Sequence, residues 1–114
     1  MHFEHLDWPF FDTHHRTLAE TLDEWAQTNV RDLHGDDVDA QCKTLVKMLG
    51  DARILRYAVS DADFDARAIC LIRETLARHN GLADFAFAMQ GLGSGAISLC
   101  GTPVQRARYL PRVA

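Results

Sequence analysis

Six residues in the last third of the chain, Gln90-Gly91-Leu92-Gly93-Ser94-Gly95, have the glycine density of a phosphate-cradling loop. A dinucleotide fingerprint needs a preceding strand, and a P-loop needs a lysine before its Ser or Thr; neither is present. Gly91 and Gly95 are four apart, so on a helix they share a face and admit a close neighbour, either a second backbone or a ligand. Each glycine inside a helix costs about 1 kcal/mol against alanine, so three within five residues point to a steric need.

The other residue types that do chemistry show no catalytic arrangement. The acidic run Asp61-Ala62-Asp63-Phe64-Asp65 begins like a calcium loop. That loop requires glycine at its sixth position and glutamate at its twelfth, which here are Ala66 and Ile72. The run therefore reads as a solvated loop and a helix cap. Six histidines raise the question of a metal. No HExxH or paired Cys/His spacing exists. His14 and His15 are adjacent and should point to different sides of a helix, and His2 and His5 fall in a segment expected to be mobile. No metal site is expected. Ser94 and Ser98 stand in no nucleophile elbow, Glu74 and Asp84 have no partner identifiable from spacing, and no catalytic residue is assigned. Arg106, Arg108 and Arg112 form a small basic cluster suited to a phosphate, to a neighbouring domain's carboxylates, or simply to solvent.

The elements that must position these residues are helical. Phe11, His15, Leu18, Leu22 and Trp25 recur at three- and four-residue steps, predicting a helix over residues 11–28 with Asp12 as cap. Trp8-Pro9 sets an extended entry to it. Val38, Cys42, Leu45, Val46 and Leu49 predict a second helix from about 37 to 49, stopped by Gly50. Residues 50–65 hold at most a turn of helix. A third helix is predicted over residues 63–79, with Ile69, Leu71, Ile72 and Leu76 inward and Arg67, Arg73, Glu74 and Arg78 outward. Asn80-Gly81 breaks it. Residues 82–99 form the fourth, and Thr102-Pro103 starts a fifth.

Between Asp84 and Arg106 there is no charged side chain. A solvent-facing helix carries charges on its outer positions, so the fourth helix is expected to be the central one, buried among the others. A bilayer would need about twenty consecutive apolar residues; this stretch is shorter and broken by Gln90, Ser94, Ser98 and four glycines, so no membrane span is expected. The fold class is an all-α bundle of about five helices around a glycine-containing central helix.

Composition agrees with a single soluble domain. Of 114 residues 47% are apolar and 25% charged, with a net charge of −4, which gives no basic stripe for nucleic acid. Cys42, Cys70 and Cys100 are an odd, widely spaced set, expected as reduced, buried thiols in a cytoplasmic protein. The first ten residues lack a secretory profile.

The segment from Gly81 to Ala114 resembles the end of the N-terminal helical domain of acyl-CoA dehydrogenases. The similarity lies in Gly81-Leu-Ala-Asp-Phe-Ala-Phe, in Gly91 to Gly95, and most specifically in Gly101, Thr102, Gln105, Tyr109, Leu110 and Pro111, a G-T-x-x-Q-x-x-x-Y-L-P block. It covers Ala66 to Ala114 well, and the order of the earlier helices also fits. Residues 50–65 depart from it, with Ser60-Asp61-Ala62-Asp63 replacing a glycine-rich stretch.

The resemblance implies that residues 1–114 are one of three parts, with a central β-domain and a C-terminal helical bundle not included. It implies FAD-dependent oxidation of an acyl-CoA to its 2,3-enoyl-CoA in the full-length enzyme, an electron-transfer acceptor, and a homo-oligomer, tetramer or dimer. Neither the flavin nor the catalytic base would be held by this chain, which alone would be inactive. Carried over by position, Asp84, Phe85, Ala88, Met89 and Leu92 would face the acyl tail, with Leu92 nearest the reacting carbons and Asp84 and Phe85 nearest the tail end. Ordinary packing is the other reading of each. The bulk of Phe85 and Met89 implies a shorter or differently shaped pocket than long-chain enzymes have. The alternative function is a stand-alone helical interaction module, whose apolar fourth helix would bury against a partner protein.

Overall fold

The computed structural model describes residues 3–60 and 63–114. Five α-helices follow one another: α1 (Thr13–Asn29), α2 (Val38–Asp51), α3 (Ala66–His79), α4 (Gly81–Cys100) and α5 (Pro103–Val113). Two 3-10 turns, Glu4–Asp7 and Leu55–Ala58, complete the described elements, and no strand occurs among the described residues. The all-α architecture predicted from periodicity is the one observed.

From α2 onward, each helix starts where a short polar side chain satisfies backbone N–H groups that have no intrahelical acceptor. Asp37 accepts from the Ala40 N–H at 3.0 Å and Asp65 from the Ala68 N–H at 3.1 Å. Thr102 accepts from the Gln105 N–H at 3.2 Å while Gln105 Oε1 accepts from the Thr102 N–H at 2.9 Å, a reciprocal cap with Pro103 at the first helical position. Asp65 is thus the cap expected from the acidic run, and α3 begins after it rather than at residue 63. Asp61 and Ala62 lie outside the described residues.

One glycine assignment changes and one holds. Gly50 lies inside α2, one residue before its end, and the left-handed turn expected of it falls instead on Arg53, with φ 59°. Gly101 does end α4, for a steric reason: its N–H donates to the Ile97 carbonyl at 2.9 Å, and a Cβ at this position would run into that same carbonyl oxygen.

The core combines Leu22 and Ala26 of α1, Val30 just after it, Leu45 and Leu49 of α2, Ile72 and Leu76 of α3, and Ala83, Ala86 and Phe87 of α4. The inward positions predicted for α3 hold, with Ile69 only partly buried. On α2, Val38 is exposed and Cys42 half-buried, so the inward face is narrower than its periodicity suggested.

The domain is flat, 42 × 42 × 18 Å, with a radius of gyration of 14.5 Å. A compact domain of this length has a radius near 13 Å. In so thin a layer α4 cannot be wrapped on all sides. It is central, packed against α2, α3, α5 and the Leu55–Ala58 turn, but covered on one side only. Phe85, Met89, Leu92 and Leu99 stand on its bare face, 54%, 40%, 74% and 65% exposed.

Candidate functional site

The α4 helix is aimed by Asn80, the single residue between it and α3. The Asn80 carboxamide oxygen accepts from the Leu82 and Ala83 N–H groups at 3.0 and 3.2 Å, capping α4. Its NH2 donates to the carbonyls of Val30 and Leu33 at 2.9 and 3.2 Å, tying the cap to the end of α1. The α3–α4 hairpin leaves a groove of about 270 Å3, walled by Ala58, Phe64, Ile69, Phe87, Ala88, Leu92 and, at one end, Arg73.

The five residues expected at an acyl tail divide between two surfaces. Ala88 and Leu92 line this groove. Asp84, one turn before Ala88, sits where Arg73 crosses from α3: Arg73 Nε donates to Asp84 Oδ1 at 2.8 Å and Nη2 to Oδ2 at 3.1 Å. Phe85 and Met89 do not line the groove; they share the bare face of α4 with Leu92 and Leu99. Leu92 alone belongs to both surfaces.

Arg73 is the residue that sequence reasoning missed, having been assigned simply to an outward face. A signal was available, because Asp84 is the one charged residue of α4 and needs a cation within reach. The hydrogen bond to Asp84, reinforced by its negative charge, pushes the Arg73 guanidinium above its ordinary value. Bidentate Arg–carboxylate geometry fixes orientation as well as charge.

Of the three helical glycines, only Gly91 faces a neighbour. A Cβ there would reach ordinary contact with Ala58 at 3.6 Å, so the helix can approach that turn closely. Gly93 and Gly95 have nothing among the described residues within 4 Å of a Cβ. The steric need inferred for the trio is met inside this domain by Gly91 alone. All three lie mid-helix, where backbone N–H groups are spent on carbonyls one turn earlier. These three glycines form neither a phosphate cradle nor a dinucleotide turn.

A second polar cluster joins the starts of α1 and α3. Adjacent His14 and His15, expected to diverge, converge: their Nε2 atoms lie 3.2 and 2.9 Å from Asp65 Oδ2, with ring centroids 3.9 Å apart. The reason is that Asp65 sits beyond the N-terminal end of α1, toward which helical side chains lean. Burial would raise the Asp65 carboxyl, but the Ala68 N–H and the His14 and His15 hydrogen bonds outweigh it and hold the group at about 2. Asp12, His14 and His15 bring three ligand-type atoms within 4.8 Å of one another. His15, however, accepts the Asp12 backbone N–H at Nδ1 at 2.9 Å, which places its proton on Nε2, facing Asp65. Asp12 in turn pairs with Arg67 at 3.2 Å. The cluster is built as a helix cap, and its buried imidazole offers no lone pair to a cation.

The remaining chemistry-bearing residues serve the fold. Ser94 Oγ donates to the Gln90 carbonyl at 2.8 Å, and Ser98 Oγ accepts from the Ser60 N–H at 3.3 Å. His5, expected to be mobile, lies in the first 3-10 turn with Phe11 edge-on at 5.8 Å and Glu74 at 3.8 Å; His2 is outside the described residues. Cys42, Cys70 and Cys100 are free thiols, but Cys70 and Cys100 are exposed rather than buried. Arg106 reaches back toward the Leu99 carbonyl, whereas Arg108 lies over the Tyr109 ring at 5.3 Å, so the basic cluster is not one site. No helix among the described residues is long and apolar enough to cross a membrane.

The family model described as "Acyl-CoA dehydrogenase, N-terminal domain" matches residues 12–114. No curated protein matches the chain.

Proposed function

We propose, from the premise that this chain belongs to the acyl-CoA dehydrogenase family through its N-terminal domain, that the bare face of α4 and the α3–α4 groove together wall the acyl pocket of a full-length enzyme. That enzyme oxidises an acyl-CoA to its 2,3-enoyl-CoA, with FAD taking the hydride. The flavin and the base that removes the α-proton belong to parts of the enzyme beyond this domain. Asp84, Phe85, Ala88, Met89 and Leu92 position the acyl tail and exclude water from it. An electron-transfer acceptor, a homo-oligomeric assembly and a cytoplasmic location go with this reading.

The observation that carries it is the stripe Phe85, Met89, Leu92 and Leu99 on a family-matched helix, left in water by a thin domain. Each such side chain, already partly covered, gains about 1 kcal/mol when another apolar surface or an acyl chain covers the rest. Contiguous exposed apolar surface of this kind marks an interaction or ligand surface. An acyl pocket is mostly apolar with few polar groups, and the groove has that make-up.

The test is the chain-length profile of the full-length enzyme after Phe85→Ala. Phe85 is half-exposed, so its truncation should leave the fold intact and shift the preference toward longer acyl groups. Phe87→Ala is the contrast: at 1% exposure, its loss should cost about 3–5 kcal/mol of stability. An unchanged chain-length preference in Phe85→Ala would remove the face from the pocket.

A further inference from the structure

The groove ends on Arg73, whose guanidinium is paired with Asp84, a charged group that an all-hydrocarbon tail does not need. Leu92 lies at one end and Arg73 at the other, and Asp84, the partner of Arg73, is eight residues from Leu92 along α4. At helical rise that separation is about 12 Å. The other wall residues, Ala58, Phe64, Ile69, Phe87, Ala88 and Gly91, carry no polar side chain. We propose that the Arg73–Asp84 pair reads the tail end of the acyl group, favouring tails that finish in a neutral oxygen acceptor, a hydroxyl or a carbonyl. Such tails are preferred over hydrocarbon tails and over carboxylate-ended tails of equal length. This inference rests on the acyl-pocket reading above.

The argument is one of donors and charge. Arg73 commits Nε and Nη2 to Asp84, and its Nη1 donates to no other group among the described residues. Three N–H donors, two of them on Nη1, therefore remain on a guanidinium held rigidly by a bidentate pair. Asp84 is the more enclosed partner, its side chain 17% exposed against 51% for Arg73. A methyl-ended tail that reaches the pair strips water from charged groups and returns nothing. A carboxylate-ended tail meets the like charge of Asp84 beside the guanidinium. A hydroxyl or carbonyl oxygen accepts from Nη1 and adds no charge to a pair that is already neutral.

The experiment uses the full-length enzyme and three saturated acyl-CoAs of matched length, ending in a methyl, a hydroxyl and a carboxyl group. Wild type should favour the hydroxyl-ended substrate in kcat/KM by about tenfold, the weight of one hydrogen bond to a charged group. The gain should appear mainly in KM, since the tail end is remote from the reacting carbons. Asp84→Asn keeps the shape and leaves Arg73 with a net positive charge, so it should move the preference to the carboxyl-ended substrate. Arg73→Gln should erase the preference for hydroxyl, with thermal melts confirming that both variants fold. Oxidation of all three substrates with rates indifferent to Asp84→Asn and Arg73→Gln would overturn this inference and leave the acyl-pocket reading standing. No flavin reduction by any of the three would overturn both.

Discussion

Replacing Asn80 with alanine removes four hydrogen bonds at the point that sets the direction of α4. The carboxamide oxygen caps the Leu82 and Ala83 N–H groups, and loss of an Asn cap costs about 1 kcal/mol. The carboxamide nitrogen holds the Val30 and Leu33 carbonyls, each bond worth about 1 kcal/mol net. Asn80→Ala should therefore lose about 3 kcal/mol, a large share of the 5–15 kcal/mol typical of a domain. At about 4 °C per kcal/mol for a domain of this size, its Tm should fall by roughly 10 °C. Asn80→Asp is the partial case. It keeps the cap acceptor and adds a favourable charge at the helix N-terminus, but loses the two donated bonds. Urea unfolding followed by far-UV circular dichroism would rank wild type above Asn80→Asp and Asn80→Asp above Asn80→Ala, with a shifted midpoint and an unchanged slope. An Asn80→Ala variant within 0.5 kcal/mol of wild type would refute the view that this residue fixes α4.

Two further predictions concern pH and the glycines. The Asp65 carboxyl is lowered from 3.8 to about 2 in the folded chain, so its contribution is complete above about pH 4 and fades as pH falls toward 2. Its side chain is 32% exposed, and screening keeps the effect to about 1 kcal/mol; Asp65→Asn, which can still cap α3, should flatten the stability profile between pH 4 and 2, and an unaltered slope would contradict this. Gly95→Ala meets no neighbour and should stabilise this domain by about 0.5–1 kcal/mol through helix propensity. In the full-length enzyme the same change should lower acyl-CoA oxidation, because the bare face is then covered; stabilisation with full activity would show that nothing rests there.

What was legible in the sequence follows from local rules. The cap at Thr102, the acidic run ending in the cap Asp65, the break at Asn80-Gly81 and the three- and four-residue spacing of apolar positions define the helices to within a few residues. The misplaced stop at Gly50 shows the limit of such rules, since Arg53 takes the left-handed turn that a glycine usually supplies. The sequence also marked α4 as special through its lack of charge. It left open whether that surface faces the same domain or something else, because burial depends on the thickness of the whole layer. Phe85 and Phe87 make the point: two identical residues on one helix, one half-exposed and one fully buried. Asp84 alone on α4 signalled a cation, but which cation it meets, and the meeting of His14 with His15 at Asp65, were illegible for a related reason. Each depends on where a second helix passes, which no local spacing encodes.

The central claim, that this domain walls the acyl pocket of a flavoenzyme, is tested most directly by the visible spectrum of the product of the complete reading frame. The purified protein should be yellow, and adding a short-chain acyl-CoA without an electron acceptor should bleach its flavin absorption. A colourless protein, or a flavin whose spectrum no acyl-CoA changes, would contradict the account.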